Sequence, residues 1–199
     1  MSPVTAADDV RDGLLSYLQE GRDVLLLKLE GLGEYDLRRP LTPTGTNLLG
    51  LVKHLTFVEL GYFGAVFGRP APAAQAWVDD DGEAEPNWDM WATAEEDSIG
   101  VLEGYRAAWA HAARTFDELP LDAVGRVPWW SRPEVTLHRV LVHVIAETHR
   151  HAGHADIVRE LVDGAVGNQS AGDNLPDRDD GWWQAYRDRL EDVARRAGA

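Results

Sequence analysis

The chain of 199 residues carries a formal net charge of −15 and contains no cysteine. This negative charge argues against nucleic acid and anionic membranes as partners, because both reward basic patches. The lack of cysteine excludes a disulfide framework, a thiolate metal site and a cysteine nucleophile. Any metal must therefore be bound by His, Asp or Glu side chains. The hydrophobic fraction of 44% is enough for one well-packed domain, which we expect to span residues 1–199.

The N-terminal residues MSPVTAADDVRDG do not show the basic-then-apolar pattern of a secretory signal. No apolar run in the sequence reaches the length of a membrane span. We therefore expect a cytoplasmic protein.

Apolar periodicity predicts a first helix from about Thr5 to Leu32, which two glycines stop. The proline-containing loop that follows ends at Thr44 or Thr46, and either side chain would cap the next helix. This second helix is expected over Asn47–Phe67. Residues 68–86 are rich in Pro, Ala and Asp and predict a surface connection, whose acidic run Asp79–Asp81 is interpreted as a solvated face.

Thr93 and Glu96 have the spacing of a capping box and predict the start of a third helix, which Pro120 ends. The segment VPWWSRP that follows is either a short strand or an extended loop. A long helix is then predicted over Leu137–Gly164, and a last helix over Gly181 to about Arg196. These elements predict an all-α fold, a four-helix bundle with an additional C-terminal helix.

The long helix over Leu137–Gly164 carries polar residues beside its apolar stripe. His143, Glu147, His151 and His154 follow each other at steps of four, four and three residues. Side chains at this spacing project from successive turns and converge. A histidine and a carboxylate four residues apart are a common pair of metal ligands, and both His143 with Glu147 and Glu147 with His151 satisfy the spacing. The spacing alone leaves the choice open, and a polar network without metal would show the same pattern.

His54 is the natural source of a third ligand, because the apolar residues around it place it on the inward face of the second helix. Tyr62 lies two turns further along the same face. A core histidine bonded to a backbone carbonyl is the structural alternative for His54. His138 and His149 fall on the far side of the long helix and are excluded. Three protein ligands would leave positions open for water or substrate.

The stretches TNLLGLVKHLTFVELGYFG, DMWATAEEDSIGVLEGYRAAW and VTLHRVLVHVIAETHRHAGHADIVRELVDG resemble three helices of the DinB/YfiT-like superfamily of metal-binding four-helix bundles. The resemblance covers nearly the whole chain and is strongest to the actinobacterial "mini-circle" branch. Aligning Gly153 with the family's glycine implies that His54, Glu147 and His151 bind the metal. Glu147 departs from an all-histidine triad, but mycothiol-dependent maleylpyruvate isomerases, to whose N-terminal domain the chain is similar, use the same His, Glu, His set for zinc.

The resemblance implies that His143 and His154 are neighbours of the ligands rather than ligands. Tyr62 and Arg150 are further candidates for the pocket or for contacts that orient a ligand, and Asp156 is near enough in sequence to be considered. Aromatic residues of the connecting segments are candidates for the rim of a substrate cavity: Trp88, Trp91, Trp129 and Trp130.

The resemblance also implies a function. Relatives use a low-molecular-weight thiol, such as mycothiol in actinobacteria, in sulfur transfer or isomerisation. We therefore expect a divalent metal, with zinc favoured over nickel, mycothiol as cosubstrate, and transferase, isomerase or lyase chemistry on a small electrophilic molecule. A non-catalytic metal-binding or stress-response bundle is the alternative, and a metal-free pocket for an apolar ligand is a third. A homodimer is one candidate assembly.

Overall fold

The computed structural model describes residues 6–72, 85–168 and 175–198. The acidic run Asp79–Asp81 and most of the connection predicted around it lie outside these residues. The chain divides into two compact units, Met1–Asn168 and Gln169–Ala199, and each is described by itself. The expectation that the whole chain forms one domain stays a prediction.

The first unit is built mainly from helices. Short π-helical and 3-10 segments and a two-stranded hairpin connect them. The helices are α1 (Ala6–Leu27), α2 (Glu34–Arg38), α3 (Leu48–Glu59), α4 (Ser98–Glu118) and α5 (Leu137–Asp163). The other elements are a π-helical turn (Leu60–Gly64), 3-10 turns (Ala65–Phe67 and Trp88–Met90) and strands β1 (Val124–Arg126) and β2 (Glu134–Thr136).

The four long helices of this unit form a bundle, as predicted. Helix α5 packs against both α1 and α3, and α3 packs against α4. Helix α3 is buried along most of its length because it lies between two neighbours. Fully buried apolar side chains from all four helices meet in one core, among them Leu18, Leu51, Leu55, Tyr105 and Leu141. No helix within the described ranges is both long and apolar enough to cross a membrane.

Helix α1 ends at Leu27, five residues before the predicted end. The amides of Leu29, Glu30 and Leu32 donate to carbonyls three residues earlier, so the chain leaves the α-helix in tight turns. Gly31 follows in the left-handed region, with a φ of 76°, a conformation that glycine adopts without steric cost. The short helix α2 was not predicted, because its five residues are too few to show a helical period.

The predicted N-terminal caps of the second and third helices are wrong. Asn47 caps α3, and its side chain accepts a hydrogen bond from the Gly50 amide at 2.7 Å; neither Thr44 nor Thr46 does so. Asp97 caps α4 in the same way. Glu96 does accept from the Thr93 amide at 2.8 Å, but this bond closes a turn before the helix.

The C-terminal part of the second predicted helix changes its winding. After Glu59 the chain takes a π-helical turn over Leu60–Gly64 and then a 3-10 turn over Ala65–Phe67. A π-helical turn rotates the following side chains relative to a regular α-helix. Tyr62 lies within this turn and is buried, so its direction could not be derived from an α-helical wheel centred on His54.

The segment around VPWWSRP is the connection of an antiparallel hairpin. Val124 pairs with Thr136, Gly125 with Val135, and Arg126 with Glu134. Thr136 also caps α5, because its side chain accepts from the Arg139 amide. The hairpin therefore leads directly into α5, which ends at Asp163 and is capped by Gly164 in the left-handed conformation.

The second unit contains helix α6 (Asp180–Ala197). Asp179 caps it by accepting a hydrogen bond from the Trp182 amide at 2.8 Å. The rings of Trp182 and Tyr186, one turn apart, are stacked with centroids 5.3 Å apart. The additional C-terminal helix predicted from the sequence is confirmed.

Candidate metal centre

Two helices of the bundle bring the three predicted metal ligands together. His54 is on α3, and Glu147 and His151 are one turn apart on α5, which packs against α3. One donor atom from each residue lies within 4.8 Å of the other two. The Glu147 Oε1 atom lies 3.1 Å from His151 Nε2 and 4.0 Å from His54 Nε2. Two ligands at 2.0–2.2 Å from a tetrahedral zinc are about 3.4 Å apart. The distance from Glu147 to His151 is close to this value, and the distance from Glu147 to His54 is longer than it.

The three side chains of the candidate centre differ in their exposure to solvent, and the Glu147 carboxylate is the most exposed. The side chain of His151 is 9% exposed, that of His54 20% and that of Glu147 32%. Among the residues that the structure describes, no fourth His, Asp or Glu joins the group. Three protein ligands with a partly exposed face are the arrangement of a catalytic zinc site, whereas structural sites are closed by four protein ligands.

His151 is held in the protonation state that a metal ligand needs. Burial and, to a smaller extent, the neighbouring His54 lower its pKa to about 4, against the opposing effect of Glu147. The imidazole is therefore neutral at neutral pH and has a free lone pair. Metal binding requires neutral imidazole and ionised carboxylate. The chemistry of the donor set thus fits a divalent ion.

Asp89 contacts the centre from outside and was not predicted. It lies on the 3-10 turn Trp88–Met90, and its Oδ2 is 2.7 Å from His54 Nδ1. The hydrogen bond from His54 lowers the pKa of the Asp89 carboxyl below its usual range. The sequence gives no spacing signal for this contact, because 35 residues separate the two side chains and the turn is too short to have a period.

His154 contacts a ligand, whereas two other candidates do not. The Nδ1 atoms of His154 and His151 are 3.4 Å apart, which is within hydrogen-bonding distance. Asp156 instead forms an ion pair with the buried Lys28 at 2.7 Å. Arg150 is exposed, and within the described part of the chain no hydrogen bond or ion pair joins it to the centre. A role for Arg150 there has no contact to support it.

An aromatic cluster, formed by Tyr62, Trp129, Trp130 and His143, lies next to the centre. The ring of His143, one turn before Glu147 on α5, lies 4.9 Å from that of Tyr62 and 4.8 Å from that of Trp130. Trp129 contacts Tyr62 edge to face at 5.8 Å. Burial lowers the pKa of His143, so its ring is neutral in this apolar environment. His143 thus belongs to the aromatic cluster and not to the donor group.

The remaining histidines have other partners. His111 lies within hydrogen-bonding distance of the Arg69 carbonyl, and His149 of the Tyr17 carbonyl. His138 is exposed. The exclusion of His138 and His149 from the donor group agrees with their positions. Of the other two tryptophans considered for a rim, Trp88 packs on Phe57, and Trp91 is 39% exposed.

Comparisons with known proteins show the family and the fold of the chain. A family model described as mycothiol S-transferase matches residues 13–164, which include the donor group, Asp89 and the aromatic cluster. A conserved protein from Enterococcus faecalis has a similar crystal structure, with a TM-score of 0.57 and 18% identity over 82% of this chain and 100% of that chain. At this identity the similarity shows a shared fold alone. No curated protein matches this chain. The family match covers well over half of the chain, which therefore belongs to the mycothiol S-transferase family, a DinB/YfiT-like family.

Proposed function

We propose that this chain is a divalent-metal-dependent transferase that joins the sulfur of mycothiol to a small electrophilic molecule. His54, Glu147 and His151 are the proposed ligands, and zinc is the proposed metal. The observation that carries the proposal is the convergence of three metal-binding side chains with no fourth among the described residues. The choice of mycothiol as the thiol rests on the description of the family to which the chain belongs.

His54, Glu147 and His151 would hold a divalent ion, which would act as a Lewis acid and lower the pKa of a bound thiol towards neutral pH. The protein residues set the conditions for that effect. His151 contributes a neutral imidazole from a buried position, and the partly exposed Glu147 contributes the negative charge. With a divalent ion, the three ligands would leave a charge of about +1, which would attract an anionic sulfur. Since the chain has no cysteine, the sulfur nucleophile must come from the cosubstrate.

The reaction proposed for this site is a nucleophilic substitution at carbon. The thiol releases its proton to solvent, the sulfur forms a bond to the electrophilic carbon, and the leaving group departs with the bonding electron pair. The aromatic cluster next to Glu147 offers an apolar surface for the electrophile, because Tyr62 and Trp130 both flank His143. Such a surface also excludes water from the reacting atoms, which strengthens the electrostatic effect of the site.

The test combines metal analysis with a thiol assay. The purified protein is loaded with zinc, its metal content is measured by mass spectrometry, and consumption of mycothiol is followed with 1-chloro-2,4-dinitrobenzene and monobromobimane as electrophiles. Glutathione and bacillithiol serve as comparison thiols. We expect one zinc per chain and a rate with mycothiol that exceeds the uncatalysed rate. We also expect the rate to fall to background when a chelator removes the metal and to return when zinc is restored.

Two results would contradict the proposal in different ways. Stoichiometric zinc without turnover of any thiol, across a panel of electrophiles, would favour a non-catalytic metal-binding bundle. Failure to retain any divalent metal would favour a metal-free pocket for an apolar ligand. We also propose a cytoplasmic location, because the cytosol keeps free thiols reduced.

A further inference from the structure

We infer that the turn over residues 87–91 is a positioning element for the metal centre, in which Asp89 fixes the His54 ring with its Nε2 lone pair directed at the metal. The inference rests on the proposed metal function and adds a residue outside the ligand set. The turn lies before α4 and after the part of the chain that the structure does not describe.

The contact between Asp89 and His54 determines which nitrogen of the ring carries the proton. Metal binding requires a neutral imidazole. An ionised carboxylate can only accept hydrogen bonds, so in a neutral His54 ring the proton must be on Nδ1, 2.7 Å from Asp89 Oδ2. The lone pair is then on Nε2. That atom faces Glu147 Oε1 at 4.0 Å, on the side of the candidate centre. A ring free to rotate or to change tautomer would present its lone pair there for only part of the time.

The turn is seated on the face of α3 that carries His54. The side-chain amide of Asn47 donates to the Met90 carbonyl at 3.1 Å, in addition to the cap that its oxygen forms. At Gly50 the backbone of the turn approaches so closely that a Cβ atom would lie 1.8 Å from the Met90 carbonyl oxygen. Only a glycine permits this distance. Gly50 is one helical turn before His54, so the approach brings Asp89 within reach of the ring.

Further contacts hold the turn along the same helix. The Lys53 ammonium donates to the Trp91 carbonyl at 3.0 Å, and the Trp88 ring packs on Phe57 with centroids 4.7 Å apart. These anchors lie before and after His54 on α3. Asn87 starts the turn in the left-handed region, with a φ of 61°. This conformation is costly for most residues but is tolerated by asparagine.

The predicted consequence of this contact is a higher affinity for the metal. A carboxylate bonded to the outer nitrogen of a metal-binding histidine orients the ring and raises its basicity, and losing such a partner typically costs about 10–100-fold in metal affinity. The negative charge of Asp89 also lowers the net positive charge of the loaded centre. Because Asp89 contacts the His54 ring directly, the orienting part of its contribution acts through His54.

The first measurement determines the tautomer of the His54 ring in metal-free protein. Nitrogen-15 NMR of the histidine side chains distinguishes the two neutral tautomers, and His54→Ala assigns the His54 signals. We expect the Nδ1-protonated form of His54 in the wild type, and a shift towards the Nε2-protonated form in Asp89→Ala. Asp97→Asn is the matched control, because it removes one negative charge before α4 but keeps a side chain that can cap the helix. It should retain the wild-type tautomer.

The second measurement is zinc affinity by competition with a chromophoric chelator. Asp89→Ala should bind zinc about 10–100-fold more weakly than the wild type. Asp89→Asn should lose less, since its amide oxygen still accepts from Nδ1, and Asp97→Asn should bind as the wild type does. The inference is overturned if Asp89→Ala keeps the wild-type tautomer, or if its zinc affinity equals that of Asp97→Asn. Circular dichroism checks that each variant is folded.

The two measurements separate this inference from the proposed function. If the wild-type protein binds zinc without transferring any thiol, the proposed function fails, while the zinc affinities of the variants still test Asp89. If the protein binds no zinc, the proposed function fails as well, and the tautomer in metal-free protein alone decides whether Asp89 fixes the ring.

Discussion

The Glu147 carboxylate and the His143 ring lie one helical turn apart on α5 but have different surroundings. Glu147 lies within reach of both His54 and His151, whereas His143 contacts Tyr62 and Trp130. Replacing Glu147 with Gln keeps the size of the side chain but raises the charge of the loaded centre from about +1 to about +2. We expect Glu147→Gln to lose more metal affinity than the about 10–100-fold attributed to an outer partner. Thiol turnover should be lost with the metal.

His143→Ala is the matched comparison for Glu147→Gln. It should leave the zinc content nearly intact, because the ring is part of the aromatic cluster and not of the donor group. Both variants should remain folded, since the apolar stripe of α5 is unchanged. The opposite pattern, with full zinc in Glu147→Gln and loss of zinc in His143→Ala, would show that His143 and His54 bind the ion and that the ligand assignment is wrong.

The residues of the candidate centre differ in how far the sequence predicts them. Spacing on one helix brings Glu147 and His151 together, and an inward position on another helix suggests His54. The choice between His143 and His151 needed the family resemblance, because both have the same spacing from Glu147. Asp89 could not be predicted, since no period relates a three-residue turn to a helix 35 residues away. The feature that places Asp89 next to His54 is the close approach of the Met90 backbone to Gly50, and this approach is visible only in the three-dimensional structure.

At the scale of elements, the close packing of the 87–91 turn on α3 predicts that replacing Gly50 lowers both the free energy of unfolding and the zinc affinity. Gly50→Ala places a methyl group into the backbone of Met90, and such overpacking typically costs about 1–3 kcal/mol. Because the turn must move away from α3, zinc affinity should fall together with the free energy of unfolding. Urea denaturation and chelator competition measure the two quantities.

Gly104→Ala is the control for this prediction. Gly104 lies inside α4, and a Cβ built there meets no atom within 4 Å. Alanine is the better helix former, so the variant should gain about 0.5–1 kcal/mol of stability and keep its zinc affinity. Equal responses at the two glycines would contradict the role given to the close approach.

The elements show where sequence patterns are strong and where they are weak. The four long helices were predicted because each carries an apolar period over several turns. The capping residues of α3 and α4 were not, because a cap depends on one hydrogen bond: Asn47, not Thr44 or Thr46, makes it in α3. The π-helical turn after Glu59 and the hairpin before α5 also lack a repeating pattern long enough to detect.

The bundle as a whole contains a buried ion pair that joins three of its helices. Arg22 of α1 contacts Glu59 of α3 through two nitrogens, at 2.8 and 2.5 Å, and its guanidinium lies 5.2 Å from the Trp109 ring of α4. Burial raises the pKa of the Glu59 carboxyl, and the attraction of Arg22 opposes that rise. Arg22→Met alone leaves the buried carboxyl without its partner and should cost about 3–5 kcal/mol.

The double variant Arg22→Met, Glu59→Leu should recover most of that loss, because an apolar pair of similar volume needs no compensating charge. The free energies of unfolding, measured in urea, form a double-variant cycle. Additive losses would show that the two side chains do not stabilise the bundle as a pair. The zinc content of the folded variants should stay unchanged, since neither residue belongs to the donor group.

The homodimer considered from the sequence stays a prediction.

The most direct test of the central claim, that the three ligands hold a metal whose open position takes a thiol, uses cobalt in place of zinc. The chain has no cysteine, so any thiolate-to-cobalt charge-transfer band must come from an added thiol. We predict that mycothiol produces such a band in the near ultraviolet, saturating at one thiol per cobalt, and that Glu147→Gln and His54→Ala do not show it. Cobalt bound by His54, Glu147 and His151 with no charge-transfer band at any mycothiol concentration would contradict the claim.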